Sequence, residues 1–299
     1  MDEAYSERLD RETLRALSAR SDFKGITHLL SHFAVLGGLA AVISFIPFSP
    51  WLVPALAVYG ALLIFLFAPL HETIHRTAFR TRWLNDLVAL FTGAVLVLPP
   101  GYFREFHFAH HRHTQDAARD PELAAPKPSN IGAYLWLLSG LPYWRERIAT
   151  TLRHAFGQVE EIFIAPRKRD AVTREARLYL LLYSAAIAIS AAAGSWAITW
   201  YWLAPALLGQ PALRLFLLAE HGGCPPVADM LKNSRTTRSN AFVRWFAWNM
   251  PYHAEHHAYP GLPFHALPSA DSRMAPAIEV RGSGYLAVNW NFLKEIVAR

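Results

Sequence analysis

Cysteine is almost absent from this sequence: its 299 residues include one, Cys224. A single cysteine excludes an internal disulfide and any metal site built from several thiolates, so a bound metal would need nitrogen and oxygen ligands. Charge is also scarce, because Lys, Arg, Asp and Glu make up 17% of the chain against 53% hydrophobic residues. This balance is high in apolar residues for a soluble enzyme and favours a membrane protein.

The sequence also lacks the interleaved basic and aromatic residues of a nucleic-acid-binding module. The formal net charge of +6 comes from basic residues that largely flank apolar segments. Anionic lipid headgroups and the positive-inside rule explain this placement. We therefore expect a membrane as partner and no nucleic acid.

Long apolar runs are plentiful. Residues 28–47 and 51–70 are mostly apolar and contain no Lys, Arg, Asp or Glu. About twenty such residues suffice for a helix that crosses the hydrocarbon core. Residues 178–219 contain Arg214 as their one charge, with a possible turn at Gly194. The sequence therefore predicts an all-α integral membrane protein with four transmembrane helices, at about 28–47, 51–70, 178–194 and 196–219.

Histidine is concentrated in three segments: "HETIH" at 71–75, "HFAHH" at 107–111 and "NMPYHAEHH" at 249–257. Histidines three or four residues apart share one face of a helix, so each segment can direct its imidazoles to one point. Adjacent histidines diverge by about 100° and can reach two different metals. Imidazole favours Fe, Cu, Zn and Ni over Mg or Ca. The candidate ligands are His71, His75, His107, His110, His111, His253, His256 and His257.

A fifth apolar run, 83–98, separates "HETIH" from "HFAHH" and ends at Pro99-Pro100. If it crossed the membrane, the two histidine segments would lie about 30 Å apart, on opposite faces. A shared metal site requires both segments on one side. We therefore expect 83–98 to form a buried, re-entrant or interfacial helix that returns to the side of "HETIH".

Charge bias predicts the orientation. The short loops near 48–50 and 194–195 contain no Lys or Arg, whereas 71–177 and 220–299 are rich in both. The positive-inside rule then places the histidine segments and both termini in the cytoplasm. We expect residues 1–299 to form a single domain, with 71–177 and 220–299 as a histidine-rich helical cap.

His221, in "AEHGG" at the end of the last predicted span, is a candidate ninth ligand. The alternative is an ordinary helix end at the two glycines that follow it. Glu72, Asp116 and Glu255 lie within or beside the histidine segments and could accept hydrogen bonds from metal-bound imidazoles. Asp116 could equally stabilise a helix end or form a salt bridge. The remaining histidines are expected to have structural roles: His28, His32, His113, His154 and His265.

Three further segments have two interpretations each. Residues 144–163 form an amphipathic pattern, either a helix packed on the cytoplasmic cap or one lying on the bilayer surface. Residues 231–240, with Lys232, Arg235 and Arg238, could bind an anionic headgroup or an acidic electron donor, or form a solvated basic loop. Aromatic residues near the histidines could line an acyl tunnel or provide ordinary packing: Tyr102, Phe103, Phe106, Trp245, Phe246, Trp248 and Tyr252.

The ordered segments "HETIH", "HFAHH" and "NMPYHAEHHAYPGLP" resemble those of the membrane fatty acid desaturase and hydroxylase superfamily, which includes carotenoid ketolases. The resemblance covers roughly residues 28–268. It implies a non-haem centre of two Fe, with the eight histidines above as ligands and His221 completing the set. The third segment begins with His253, unlike the glutamine of front-end desaturases.

The resemblance implies O2-dependent oxidation of an unactivated C–H bond in a lipid. We expect acyl-chain desaturation, because the third segment most resembles that of acyl-lipid desaturases; hydroxylation and carotenoid ketolation are the alternatives. No cytochrome-like haem-binding segment is present, so we expect a separate electron donor, a ferredoxin or cytochrome-like protein. A membrane metal transporter is the alternative from another class, but transport needs polar ligands near the bilayer midplane, and these histidines lie at span ends or outside spans.

Overall fold

The computed structural model describes residues 9–125 and 127–298, most of which are helical. Two short strands, β1 (Thr236–Thr237) and β2 (Arg281–Gly282), pair in parallel. The α-helices are α1 (Arg11–Leu17), α2 (Asp22–Phe45), α3 (Leu52–Ile64), α4 (Phe67–His75), α5 (Arg82–Leu96), α6 (Pro100–His113), α7 (Ile131–Leu138), α8 (Leu141–Ala155), α9 (Pro166–Ala192), α10 (Ala204–His221), α11 (Met230–Asn233), α12 (Ala241–Phe246), α13 (His253–Ala258), α14 (Leu267–Met274) and α15 (Tyr285–Val297).

Four helical segments of the described chain are long and apolar enough to cross a membrane: Asp22–Phe45, Leu52–His75, Pro166–Ala192 and Thr199–His221. The prediction of an all-α protein with four spans is confirmed. Helix α9 begins well before residue 178, because the charged sequence at its start consists largely of good helix formers that hydropathy does not detect. Two of the spans carry site residues at their ends, His75 and His221.

These two spans approach each other closely. A Cβ added to Gly60 on α3 would overlap the backbone of Pro205, and one added to Gly209 on α10 would overlap the backbone of Gly60. Glycine permits such contact between membrane helices because it removes the side chain from the interface. The close packing fixes the "HETIH" segment relative to His221.

The apolar run between the first two histidine segments is not a straight span. Helices α5 and α6 meet at an angle of 92°. Val97 ends α5 in the left-handed conformation, with φ of 52°, and Pro100 starts α6 at a position where its missing N–H costs nothing. The turn brings "HFAHH" back to "HETIH", as expected from a shared site: the rings of His71 and His107 lie 4.4 Å apart.

Helix α8 differs from the predicted amphipathic helix at 144–163. It ends at Ala155, because Gly157 adopts a φ of 84° that stops the helix. Its apolar Ile148 and Leu152 are exposed, whereas its polar residues Arg147, Thr150, Thr151 and His154 are buried. The helix therefore packs on the rest of the protein, but through its polar face and not through the apolar face that an ordinary amphipathic helix turns inward. The outward apolar face has the geometry of a helix that lies on a bilayer surface.

The predicted basic loop at 231–240 is largely folded into the protein. Arg235 is buried and donates a hydrogen bond to the carbonyl of Ala219, and Lys232 forms a 2.7 Å ion pair with Glu279. Arg238 is exposed. A solvated loop, or a binding site that uses all three basic side chains, is therefore contradicted. The segment instead forms β1 and supports the histidines, as described below.

Candidate metal centre

Five histidines from α4, α6 and α13 form the first group. Each offers a ring nitrogen, and these atoms lie within 4.8 Å of one another. The Nε2 atom of His111 lies 2.9 Å from that of His107 and 3.2 Å from that of His256. The first group consists of His71, His75, His107, His111 and His256.

The second group is beside the first, at the C-terminal end of α10. Its ring nitrogens from His110, His221 and His257 also lie within 4.8 Å of one another. His253 joins them, because its Nε2 atom is 2.9 Å from Nε2 of His221. All nine histidines that the sequence singled out are thus brought together, and the adjacent pairs 110/111 and 256/257 are divided between the two groups, as the helix geometry predicts.

The donor set fits metal ions. Neither ring nitrogen of His71 has a hydrogen-bond partner in the described chain, nor do the Nε2 atoms of His75 and His257. Buried polar atoms are normally paired, and a metal would pair these. Burial lowers the pKa of His256 and of His257 well below the usual range, so both rings are neutral, which is the form that binds a metal.

The second group has hydrogen-bonding partners on the outer side of its rings. Nδ1 of His110 donates to Asp120 over 2.9 Å, and Nδ1 of His221 donates to the carbonyl of Asn233 over 3.1 Å. Oε1 of Glu220 lies 3.2 Å from Nδ1 of His253. The hydrogen bonds of His110 and His221 fix the tautomer and direct the opposite nitrogen, Nε2, into the site, whereas Nδ1 of His253 has no hydrogen-bond partner in the described chain.

Asp120, which the sequence did not single out, takes the role that was expected of Asp116. Asp116 forms a 2.6 Å ion pair with Arg119, so its alternative as a salt-bridge residue is the correct one. Burial opposes ionisation of Asp120, but the hydrogen bonds from His110 and from two backbone N–H groups lower its pKa overall. A local signal did exist, an Asp before Pro121 that caps a short helix, but it gives no indication of contact with His110.

The other two predicted acidic partners support the centre indirectly. Glu72 accepts hydrogen bonds from the hydroxyl of Thr77 and the backbone of Phe264. Glu255 accepts one from the hydroxyl of Thr236 in β1, and burial raises the pKa of Glu255. Neither acid bonds to an imidazole within residues 9–125 and 127–298, so both act by holding neighbouring segments in place.

The remaining histidines lie outside both groups. His28 and His32 contact the carbonyls of Trp245 and Leu62 at 2.8 and 3.0 Å, and His154 contacts Glu161 at 3.0 Å. These are the structural roles that the sequence analysis predicted for them.

A cavity of about 350 Å³ adjoins both groups. This volume is at the lower end of the range of about 300–1,000 Å³ for ligand pockets. Its lining includes His71, His107, His110, His221 and His253. Its apolar walls include Phe65, Phe103, Phe106, Leu137, Phe216 and Met250. Of the aromatic residues noted in the sequence, Phe103 and Phe106 therefore line a cavity, whereas Trp248 is fully buried against Phe264.

The fold and the site define a multi-pass membrane protein with a histidine-rich candidate metal centre beside an apolar cavity. The sequence model of the fatty acid desaturase family matches residues 48–289. The chain belongs to the fatty acid desaturase family, a family of oxidoreductases.

Several characterised proteins are similar to the chain. The sn-1 oleoyl-lipid 12-desaturase of Picosynechococcus sp. is 28% identical over 64% of this chain and 56% of its own length. The sphingolipid delta(4)-desaturase/C4-monooxygenase of Rattus norvegicus is 29% identical over 67% of this chain and 58% of its own length. The dihydrorhizobitoxine desaturase of Bradyrhizobium elkanii is 26% identical over 90% of this chain and 79% of its own length. The chain thus spans little more than half the length of the first two relatives.

Proposed function

We propose that this protein is a di-iron oxidoreductase that uses O2 to oxidise an unactivated C–H bond in a lipid, and that its reaction is desaturation of an acyl chain. The observation that carries the proposal is the convergence of nine histidines in two neighbouring groups that adjoin a largely apolar cavity. Membership of the fatty acid desaturase family supports it.

Each group would hold one iron. The first would be bound by His71, His75, His107, His111 and His256, and the second by His110, His221, His253 and His257. Bound iron supplies the oxidising power that amino-acid side chains lack, by reducing O2. The protein's own residues bind and orient: Phe103 and Phe106 hold an apolar chain and exclude water, while Asp120 and the carbonyl of Asn233 orient two of the imidazoles.

Desaturation is preferred because the third histidine segment resembles that of acyl-lipid desaturases, and because the relatives above are named as desaturases. Hydroxylation is the second candidate. The rat relative is named as both a sphingolipid desaturase and a C4-monooxygenase, so the two outcomes occur in one protein of this family. Carotenoid ketolation has no comparable support. A metal transporter is disfavoured, because the histidines lie at span ends and adjoin a largely apolar cavity.

We further propose that the chain acts as one domain with its histidines and both termini in the cytoplasm. Charge bias supports this orientation, because basic residues are concentrated in 71–177 and 220–299. A separate ferredoxin or cytochrome-like protein would supply the electrons. Cysteine labelling at the exposed position of Ala118 tests the orientation, since labelling from outside the cell would contradict it.

The reaction is tested by expressing the wild type, His256→Ala and His113→Ala with an electron donor and analysing total lipids and carotenoids by mass spectrometry. His113 lies on α6 but outside both groups, which makes it a matched control. We expect a product lacking two hydrogens in the wild type and in His113→Ala, and none in His256→Ala. A product that instead gains one oxygen would replace desaturation with hydroxylation. Equal product in His256→Ala would refute the catalytic role of the centre.

A further inference from the structure

The cavity contains a positive charge that the oxidation chemistry does not use. Arg214 lies on α10, within the fourth membrane span, and its side chain lines the cavity. A charged residue inside a span is costly, and such residues usually serve a substrate, an ion or a proton. Arg214 therefore calls for an explanation beyond packing.

Arg214 forms no close ion pair with a carboxylate in the described parts of the chain. No ion pair within residues 9–125 and 127–298 includes it, and its Nε atom has no hydrogen-bond acceptor there. Its guanidinium carbon lies 4.6 Å from the ring centroid of Tyr143. That cation–π contact stabilises the positive charge without neutralising it.

The acids that line the same cavity are engaged elsewhere. Glu146 forms an ion pair with Arg147, the other basic residue of the lining. Oε1 of Glu220 lies 3.2 Å from His253, and Oε2 of Glu122 lies 3.6 Å from His110. Two of the three acids therefore lie against the histidines, and none of the three lies within 4 Å of the Arg214 guanidinium.

The start of α8 faces the same cavity. Pro142, Tyr143, Glu146 and Arg147, from its first two turns, line the cavity. The N-terminus of a helix carries a partial positive charge, which favours a nearby anion. A guanidinium beside a helix N-terminus is suited to an oxygen anion, because arginine can donate two parallel hydrogen bonds to it.

The distance to the histidines suits a chain-like substrate. Arg214 and His221 are seven residues apart on α10 and so share one face of the helix. The rise between them is about 10 Å. A substrate anchored by an anion at Arg214 would therefore place an apolar carbon about that far away, at the histidine end, with Phe216 and Leu217 among the lining residues.

We propose that the cavity binds an anionic amphiphile whose carboxylate or phosphate pairs with Arg214, while its apolar chain extends to the histidine groups. This deepens the proposed function, on which it rests, by assigning the substrate's polar group to the inside of the cavity. A free acid and a phosphate-bearing lipid share this chemistry, and the experiment distinguishes them.

The test measures binding, by the change in tryptophan fluorescence of the full-length, detergent-solubilised protein. Palmitic acid is compared with cetyl alcohol, and dipalmitoyl phosphatidic acid with dipalmitoylglycerol, so that each pair differs in its anionic group. The proteins are the wild type, Arg214→Gln, Arg214→Lys and Arg174→Gln; the last removes a positive charge from an exposed position of α9.

We expect wild type and Arg174→Gln to bind one of the anions at least about tenfold more tightly than its uncharged counterpart, as for a buried charge pair. Arg214→Gln should lose that preference, and Arg214→Lys should keep part of it. A preference for palmitic acid identifies a free acid, and one for phosphatidic acid identifies a phosphate headgroup. Equal binding of anion and uncharged counterpart by the wild type would overturn the proposal even if the variants fail to fold, as would an unchanged preference in Arg214→Gln.

Binding is measured without turnover, so the two proposals can fail separately. If the anion binds in an Arg214-dependent manner but mass spectrometry finds no oxidised lipid, the proposed function fails and the anion site stands. If oxidised lipid forms and no anion preference exists, the anion site fails and the proposed function stands.

Discussion

The two histidine groups have different surroundings. In the second group the outer nitrogens of His110 and His221 bond to Asp120 and to the carbonyl of Asn233, whereas Nδ1 of His253 lies 3.2 Å from Glu220 without a hydrogen bond. In the first group no hydrogen-bond partner within residues 9–125 and 127–298 is available to Nδ1 of His71, His107, His111 or His256. The second group is held by hydrogen bonds, whereas the first is held by packing between helices.

This difference bears on how the two groups would behave without metal. Imidazoles that donate to a carboxylate or carbonyl keep their orientation, whereas imidazoles surrounded by one another have unpaired nitrogens to satisfy. The second group is therefore pre-organised, and the first depends more on the metal it would hold. The predictions below address that contrast.

The largest effect is expected from loss of a ligand. His111→Ala in the first group and His221→Ala in the second should each lower activity by more than the factor of about 100 that loss of an outer partner can cause. Each variant should also lose mainly one of two irons, measured by elemental analysis of the purified protein. If either substitution removes both irons, the groups are not separate sites and the comparison fails.

Removal of the metal should affect the two groups unequally. Chelation should lower the thermal midpoint by about 6 °C, if binding contributes about 4 kcal/mol. Hydrogen exchange of two helices reports on the two groups separately. Helix α4 carries ligands of the first group alone, and the last turn of α10 carries His221 of the second. We expect faster exchange in α4, with the end of α10 largely unchanged. Equal changes in both helices would show that hydrogen bonds do not pre-organise the second group.

The sequence predicted the parts of this arrangement that depend on local periodicity. Apolar runs located the four spans, histidines three to four residues apart identified eight members of the two groups, and the end of the last span identified the ninth, His221. Neighbouring histidines were also expected to separate, because successive side chains on a helix diverge.

The supporting structure could not be predicted in the same way, because it depends on contacts between distant segments. Asp120 contacts a histidine ten positions earlier only because the intervening turn reverses the chain, and Asn233 reaches His221 through the inward fold of 231–240. Helix α8 misled the prediction differently. Its amphipathic pattern shows that two faces exist but not which of them is turned inward.

A smaller effect is expected from Asp120→Asn, which keeps the side-chain shape but removes the charge that orients His110. Affinity for one iron should fall by about 10- to 100-fold. Asp116→Asn is the matched control, since Asp116 pairs with Arg119 instead of a histidine. Competition with a chelator of known affinity measures the change. An equal loss in the two variants would mean that the effect is one of general surface charge, and no loss in either would remove the basis for calling the second group pre-organised.

The smallest effect concerns a histidine–carboxylate pair outside both groups. Burial opposes ionisation of Glu161, but its hydrogen bond with His154 outweighs this and lowers the pKa of Glu161 from 4.5 to about 2. A lowered carboxyl pKa contributes stability that is present above the unfolded-state value and is lost as the pH falls through the folded-state value. In metal-free protein, Glu161→Gln should therefore lower the free energy of unfolding by about 1 kcal/mol near neutral pH, because the pair is partly exposed. The difference from wild type should disappear as the pH approaches about 2.

Glu160→Gln, at an exposed neighbouring position, should show no such dependence. Iron content should be unchanged in both variants. The reason is that a hydrogen-bonded histidine becomes part of the metal centre only where its other nitrogen faces further imidazoles. Loss of iron in Glu161→Gln would contradict that distinction.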